Sequence, residues 1–322
     1  MLLCFFAWQS PVIARTADGT QRLVYIRSVS DSNVWRLTTS APGVPASTAP
    51  VRAVASTRDD FTPGLSPDGR RIAFWSNRSG EPQIWIADID GSRGRQLTSM
   101  AFRSFPGWPR WSPDARLIAF QGDPQDRPDV LVVPAEGGPA RIVTADLFSS
   151  AFPSFSRDGR SLYFCRWDGP ETRVWKMPVS GGPAVRITQD PAFLPIESPD
   201  GRDLYYVSAA DRPSALWRMS LAGGTPIKLL DGVLYGNFDV VDNGIYYLER
   251  VSGAEDQRAR PASQGGEIRL QYFDLSTRRS TTIAPNLGLA GHGLTVSRDG
   301  RSIFFARIDS AIDELMLVDG FR

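Results

Sequence analysis

The sequence predicts an all-β chain folded as a seven-bladed β-propeller of four-stranded antiparallel blades. A recurring turn, its spacing, and the residues after it carry the prediction. Ser66-Pro67-Asp68-Gly69-Arg70 runs into Arg71-Ile72-Ala73-Phe74-Trp75. The same pattern returns at Ser112-Pro113-Asp114-Ala115-Arg116, Ser156-Arg157-Asp158-Gly159-Arg160, Ser198-Pro199-Asp200-Gly201-Arg202 and Ser297-Arg298-Asp299-Gly300-Arg301. Weaker copies are Ala17-Asp18-Gly19 and Asp242-Asn243-Gly244. Successive copies lie roughly 42 to 56 residues apart, the period of propeller blades.

Each copy reads as strand, turn, strand. Pro presets φ for a type I turn, Asp can bond its own backbone, and Gly takes a left-handed conformation without steric cost. Ala115 fills the glycine slot of one copy, so that turn must differ or carry strain. The residue runs after each turn are β-branched and aromatic, as strands require.

In order, the blades are expected at 9–57, 58–100, 101–145, 146–190, 191–231, 232–285, and 286–322 together with 1–8, all in one domain, 1–322. In the first, Pro11–Arg15, Arg22–Arg27, Asn33–Leu37 and Val51–Ser56 are the strands, with Ala41–Pro50 a Pro/Ala/Ser loop. The second has Phe61–Leu65, Arg71–Ser76, Gln83–Ala87 and Arg95–Thr98. The next three repeat it, with Gly137-Gly138, Gly181-Gly182 and Gly223-Gly224 at hairpins that need positive φ. The sixth carries a polar insertion, Ser252–Gly266. The seventh has Leu294–Val296, Ile303–Ile308 and Glu314–Val318 but no fourth strand. Leu2–Trp8 is expected to supply it and close the ring, hiding sheet edges. Alternatively that segment is a truncated signal sequence, or a strand of an earlier blade missing from a fragment.

Net charge is +1, which leaves no bulk footprint for nucleic acid or acidic membranes. Lys176 and Lys228 are the only lysines, and neither follows a phosphate-cradling loop. Cys4 and Cys165 are too few for a disulfide framework. His292 is the only histidine, which excludes a three-histidine metal site and a paired-histidine zinc helix. No Gly-x-Ser-x-Gly elbow occurs. Asp88-Ile89-Asp90-Gly91 lacks the following glutamate of a calcium loop and reads as a hairpin turn. No cofactor, no metal and no catalytic residue are expected.

Trp35, Trp85, Trp175 and Trp217 recur at matching third-strand positions, which suits packing between blades. Pro63, Pro109, Pro153 and Pro195 each stand three residues before the repeat serine. Proline is tolerated where no ladder donor is needed, so this run is the innermost strand, its free edge on the channel. Residues just upstream then gather at one mixed-charge channel mouth: Asp59, Asp60, Arg103, Ser104, Ser149, Phe193, Tyr235 and His292. Trp108 joins them as an exposed contact. The plainer reading is that these are ordinary polar loops.

The Ser-Pro-Asp-Gly-Arg-x-Ile-Ala-Phe repeat, Ile84-Trp85-Ile86-Ala87-Asp88 and Gln96-Leu97-Thr98 resemble the WD-like repeats of the TolB β-propeller family over nearly the whole chain. Tyr25–Arg36 and Asp313–Arg322 look more narrowly like the C-terminal propeller of bacterial winged-helix transcriptional regulators. The resemblance implies a non-enzymatic module that binds a protein or peptide or senses a signal, and the narrower likeness implies the sensor part of such a regulator. It implies a periplasmic or extracytoplasmic position, with a cytoplasmic one as the alternative. Direct nucleic-acid binding and a membrane span are not expected of this chain, and a monomer is. The competing reading is a propeller enzyme or accessory domain, of lyase or peptidase type, with its site at the channel mouth.

Overall fold

The computed structural model describes residues 12–15, 21–102, 106–125, 127–209, 213–251 and 268–319, and every regular element among them is a β-strand. Three strands come first, β1 (Val12–Arg15), β2 (Gln21–Thr38) and β3 (Val51–Val54). They belong to the last sheet. Three separate four-stranded antiparallel sheets follow. They are β4 (Asp60–Leu65), β5 (Arg71–Ser76), β6 (Gln83–Asp88) and β7 (Arg95–Gln96); β8 (Gly107–Trp111), β9 (Leu117–Gly122), β10 (Asp129–Pro134) and β11 (Arg141–Ile142); and β12 (Ser149–Phe155), β13 (Ser161–Trp167), β14 (Thr172–Pro178) and β15 (Val185–Arg186).

The next sheet has seven strands: β16 (Phe193–Glu197), β17 (Asp203–Val207), β18 (Ser214–Ser220), β19 (Ile227–Val241), β20 (Gly244–Arg250), β21 (Ile268–Asp274) and β22 (Arg279–Ala284). It is two units sharing one long strand. Up to Val233, β19 is the outer partner of β18; from Val233 onward it is the inner partner of β20. Gly232 and Gly236, at φ +85° and +72°, allow the change of direction.

The last sheet joins the two ends of the described chain. β23 (Leu289–Val296) pairs with β24 (Ser302–Asp319), β24 with β2, and β2 with β3. β2 and β24 run on together beyond this unit as a ribbon, with β1 along its edge.

Among the described residues the strands therefore make six four-stranded units, not the seven expected. The units expected at 9–57 and 286–322 are one sheet. Arg22–Arg27 with Asn33–Leu37, and Ile303–Ile308 with Glu314–Val318, are each one unbroken strand. The physical reason is local: neither junction holds a Gly or Pro, so the chain passes it with only a register shift at Asp31/Ser32. β2 and β3 complete this sheet. The closing strand expected from Leu2–Trp8, the Asp18-Gly19 turn and the Ser252–Gly266 insertion lie outside the described residues.

The innermost strands adjoin in the order β4, β8, β12, β16, β19, β23, and β23 lies against β4. Six buried clusters fill the six seams. Val34 and Val54 meet Ile72 and Phe74 at the last seam; Trp75 and Ile84 meet Ile118 and Phe120 at the next. The recurrent tryptophans sit in these seams as expected: Trp85 against the cluster of Val34 and Phe74, Trp175 against that of Val130 and Phe164, Trp217 against that of Val174 and Tyr206, Trp35 against that of Tyr246 and Phe305. An arginine covers three of them, Arg307 over Trp35 at 3.3 Å, Arg166 over Trp175 at 4.8 Å and Arg78 over Trp85 at 5.2 Å, adding cation–π attraction to burial.

The repeat turn is the same object each time. The serine hydroxyl donates to the aspartate at 2.6 Å in four copies and 2.5 Å at Ser297. It also accepts the backbone N–H five residues on, as Arg71 donates to Ser66 at 2.9 Å. The aspartate accepts the N–H two residues on. These bonds hold Asp68, Asp114, Asp158, Asp200 and Asp299 below the usual carboxylate range. Ala115 keeps both bonds and accepts φ +58°, so its turn is not different but strained.

Candidate functional site: a blind funnel on the axis

Every innermost strand carries a bulge, and at each bulge one residue is left-handed: Thr62, Trp108, Phe152, Leu194, Gly236 and Gly293. The first four are not glycine and precede Pro63, Pro109, Pro153 and Pro195. Such residues cost about 1–3 kcal/mol each and persist only where the surroundings enforce them. Here the bulge sends bulky side chains toward the axis. Trp108 belongs to β8, yet its ring packs on Tyr235 of β19 at 5.8 Å and His292 of β23 at 6.2 Å, as well as on Phe152 at 5.4 Å. A Cβ on Gly236 would lie 2.0 Å from the Trp108 ring, so glycine there is what admits the indole. Trp108 is thus a buried plug, 9% exposed, rather than the exposed contact expected from the sequence.

Of the sequence-predicted residues, Trp108, Phe193, Tyr235 and His292 come together in one aromatic group. Phe152 and Trp167, which sequence reasoning missed, link it: Phe152 to Tyr235 at 5.8 Å, Trp167 to Phe193 at 6.5 Å. The missed signal is the position four before each repeat serine, which yields Thr62, Trp108, Phe152 and Leu194. His292 hydrogen-bonds the Tyr235 carbonyl, while its Nδ1 is buried without a partner, and burial holds the imidazole below its ordinary pKa.

Asp59 and Asp60 stand elsewhere. Asp59 accepts the Ser30 hydroxyl at 2.8 Å, and Asp60 takes both 2.8 Å bonds from Arg78 and one from Ser56 at 3.0 Å. Burial raises both carboxyls. They tie the start of β4 to the sheet of β2 and are not part of the aromatic group. Ser149 begins β12 opposite Trp167. Arg103 and Ser104 lie outside the described residues.

Mixed charge lines the other end of the axis. Two residues before each repeat serine stand Gly64, Arg110, Ser154, Ile196 and Thr295; Asp239 stands two before Val241, which replaces the serine. Each faces the equivalent residue of its second strand: Ala73, Ala119, Tyr163, Tyr205, Phe304 and Tyr246. These six positions form one level of the inner wall and line a cavity of about 370 Å³ that reaches the repeat turns at Pro67, Pro113 and Pro199. Beneath it the aromatic plug stands across the axis, and the gap between Trp108, Phe152 and Leu194 is about 10 Å³. That is room for one water at most. The funnel is blind.

Units three apart face each other, so Arg110 opposes Asp239 and Ser154 opposes Thr295. Asp239 accepts the N–H of Val296 at 2.8 Å and of Val240 at 3.0 Å. Burial raises its carboxyl, and Arg110 is the main charge pulling it back. The Ser154 hydroxyl, in a residue 7% exposed, has no hydrogen-bond partner. Among the described residues, no group of three or more His, Cys, Asp or Glu side chains could hold a metal ion, and no helix is long and apolar enough to cross a membrane.

A family model for the TolB beta propeller domain matches residues 20–234. The chain belongs to that family. No curated protein matches it. Among solved structures, the TolB-like propeller is similar to the putative TolB of Agrobacterium tumefaciens, at 17% identity and TM-score 0.68, covering 87% of this chain and 99% of that one. It is similar to TolB from Acinetobacter baumannii at 15% identity and TM-score 0.60, covering 91% and 80%. It is also similar to an oligogalacturonate lyase in complex with manganese, at 14% identity and TM-score 0.51, covering 90% and 76%. At these identities the likeness is one of fold, and it spans proteins of different activity.

Proposed function

We propose that this TolB-like propeller is a non-enzymatic binding module that receives a segment of a protein or peptide partner in its blind funnel. The observation that carries this is the wall ring of Arg110, Asp239, Ser154 and Thr295 standing over an apolar plug. A closed floor suits an inserted side chain or loop, not passage through the axis. Asp239 is held as an acceptor by two backbone N–H groups, a poor arrangement for a mobile general base. The volume lies within the usual range of ligand sites, about 300–1,000 Å³. The narrower resemblance adds an extracytoplasmic, signal-sensing setting to this proposal.

Panning a random displayed peptide library against the wild type and against Arg157→Trp tests it. Arg157 is an exposed funnel-lining residue, so the indole obstructs the opening without disturbing the core. Binders enriched on the wild type and lost on R157W are expected. Equal recovery on both proteins would sink the funnel as the site.

A further inference from the structure

We propose that the funnel is a carboxylate site, taking an acidic segment of the partner; this rests on the binding reading above and names its chemistry. The argument is a census of hydrogen-bonding capacity along the wall. Arg110, Arg157 and Arg298 all line the cavity. Among the described residues none of their guanidinium groups has a hydrogen bond or ion pair, and Arg110 feels Asp239 only through space. Arg110 is half-buried, so its donors have lost part of their water without gaining an acceptor. The Ser154 hydroxyl beside it is buried and equally unpaired.

The deepest acceptor, Asp239, is in the opposite condition. Both oxygens of Asp239 already take backbone N–H groups, and Thr295 adds its hydroxyl. Glu197 accepts the Arg157 N–H at 3.2 Å through one oxygen, and its other oxygen is buried without a partner. Asp242, exposed at the rim, is the one carboxylate there without a partner. An entering group thus meets three free guanidinium groups and a free hydroxyl, against the Asp242 carboxylate at the edge and one buried oxygen of Glu197. A carboxylate seated on Arg110 can take two parallel N–H bonds in a fork and a third from Ser154. An ammonium at the same depth meets the Arg110 charge and an Asp239 carboxylate whose oxygens are already engaged.

Fluorescence anisotropy with three dansyl-labelled, amidated pentapeptides tests the assignment at low and at physiological salt: one with a central Asp-Glu-Asp, one with Lys-Arg-Lys, one with Ser-Gln-Ser. The acidic peptide is expected to bind the wild type best. Arg110→Gln should weaken it at least about tenfold, a change of about 1.4 kcal/mol. Arg110→Lys, which keeps the charge and loses the fork, should fall between. A thermal melt of each variant separates lost binding from lost folding. Acidic-peptide binding that R157W abolishes but R110Q leaves intact keeps the funnel and overturns the carboxylate seat on Arg110. Preference for the basic or neutral peptide overturns the carboxylate and keeps the funnel. Binding of none of the three overturns the carboxylate site and counts against the funnel itself. Displacement of the acidic peptide by duplex DNA at physiological salt would mean a nucleic-acid site, and overturns the proposal.

Discussion

Arg110 and Asp239 occupy equivalent places on β8 and β19, one opposite Ala119 and the other opposite Tyr246, so a guanidinium and a carboxylate face each other across the axis. The pair has a consequence for stability. Burial raises the Asp239 pKa above its unfolded value near 3.8, so the folded state holds the proton more tightly. Stability from this group is fully present below the unfolded pKa and is lost as pH rises through the folded one. Asp239→Asn has no such loss. Its stability relative to wild type, from urea melts, should therefore improve as pH is raised from 4 through the folded pKa of Asp239. A flat difference would show that Asp239 is not desolvated.

His292 has the opposite sign. Its pKa is depressed below 6.5 by burial, so the unfolded chain binds the proton more readily. Stability from it is present above the unfolded pKa and lost as pH falls through the folded one. His292→Phe should flatten the melt-temperature profile below pH 6.5. As the sole histidine, its ring protons give a direct NMR titration, expected to have a midpoint under 6.5.

Gly236→Ala should be severe. The added methyl collides with the Trp108 ring and sits at φ +72°, so a loss of roughly 2–4 kcal/mol is expected. In the background of Trp108→Leu, itself costly, the same glycine change should cost much less. Additive costs in chemical denaturation would mean that the indole does not lie on Gly236.

Ala115→Gly should stabilise the protein by about 0.5–1 kcal/mol, the left-handed strain relieved less the extra freedom of the unfolded glycine. Gly69→Ala, where nothing lies within 4 Å of the new methyl, should cost a similar amount through φ alone. Matched urea midpoints measure both.

Asp309 binds the joining sheet together. It accepts Asn33 at 2.8 Å and Trp35 at 3.3 Å from β2, Arg307 at 2.8 Å from β24, and pairs with Arg52 of β3 at 3.1 Å. Asp309→Ala leaves these donors without their acceptor and should cost roughly 2–4 kcal/mol. Hydrogen exchange should rise first at β2 and β3. Uniform loss of protection would mean that Asp309 has no special place in that sheet.

The turn, the strand after it and the seam tryptophans were legible because each depends on neighbours in sequence: Ser66 needs only Asp68 and Arg71. The number of sheets was not. A linear reading counts β2 and β24 in separate units, and only their pairing, Leu37 with Ile303 and Trp35 with Phe305, makes them one. The aromatic group was half legible, since Tyr235 and His292 stand out while Phe152 looks like any strand residue. The Arg110–Asp239 opposition was hidden for a different reason. Nothing within either segment signals the other, and the equivalence of the two places appears only once the repeat serine is aligned with Val241.

The pairing of β2 with β24 also sets a timetable for biosynthesis. Strand β2 is translated well before its partner and cannot pair until Ser302–Asp319 has followed. Until then its apolar side chains, Val34 and Leu37 among them, wait uncovered, and so does the flank of β4 that they later adjoin. Such late, long-distance closure slows maturation and leaves apolar strand surface exposed in the meantime.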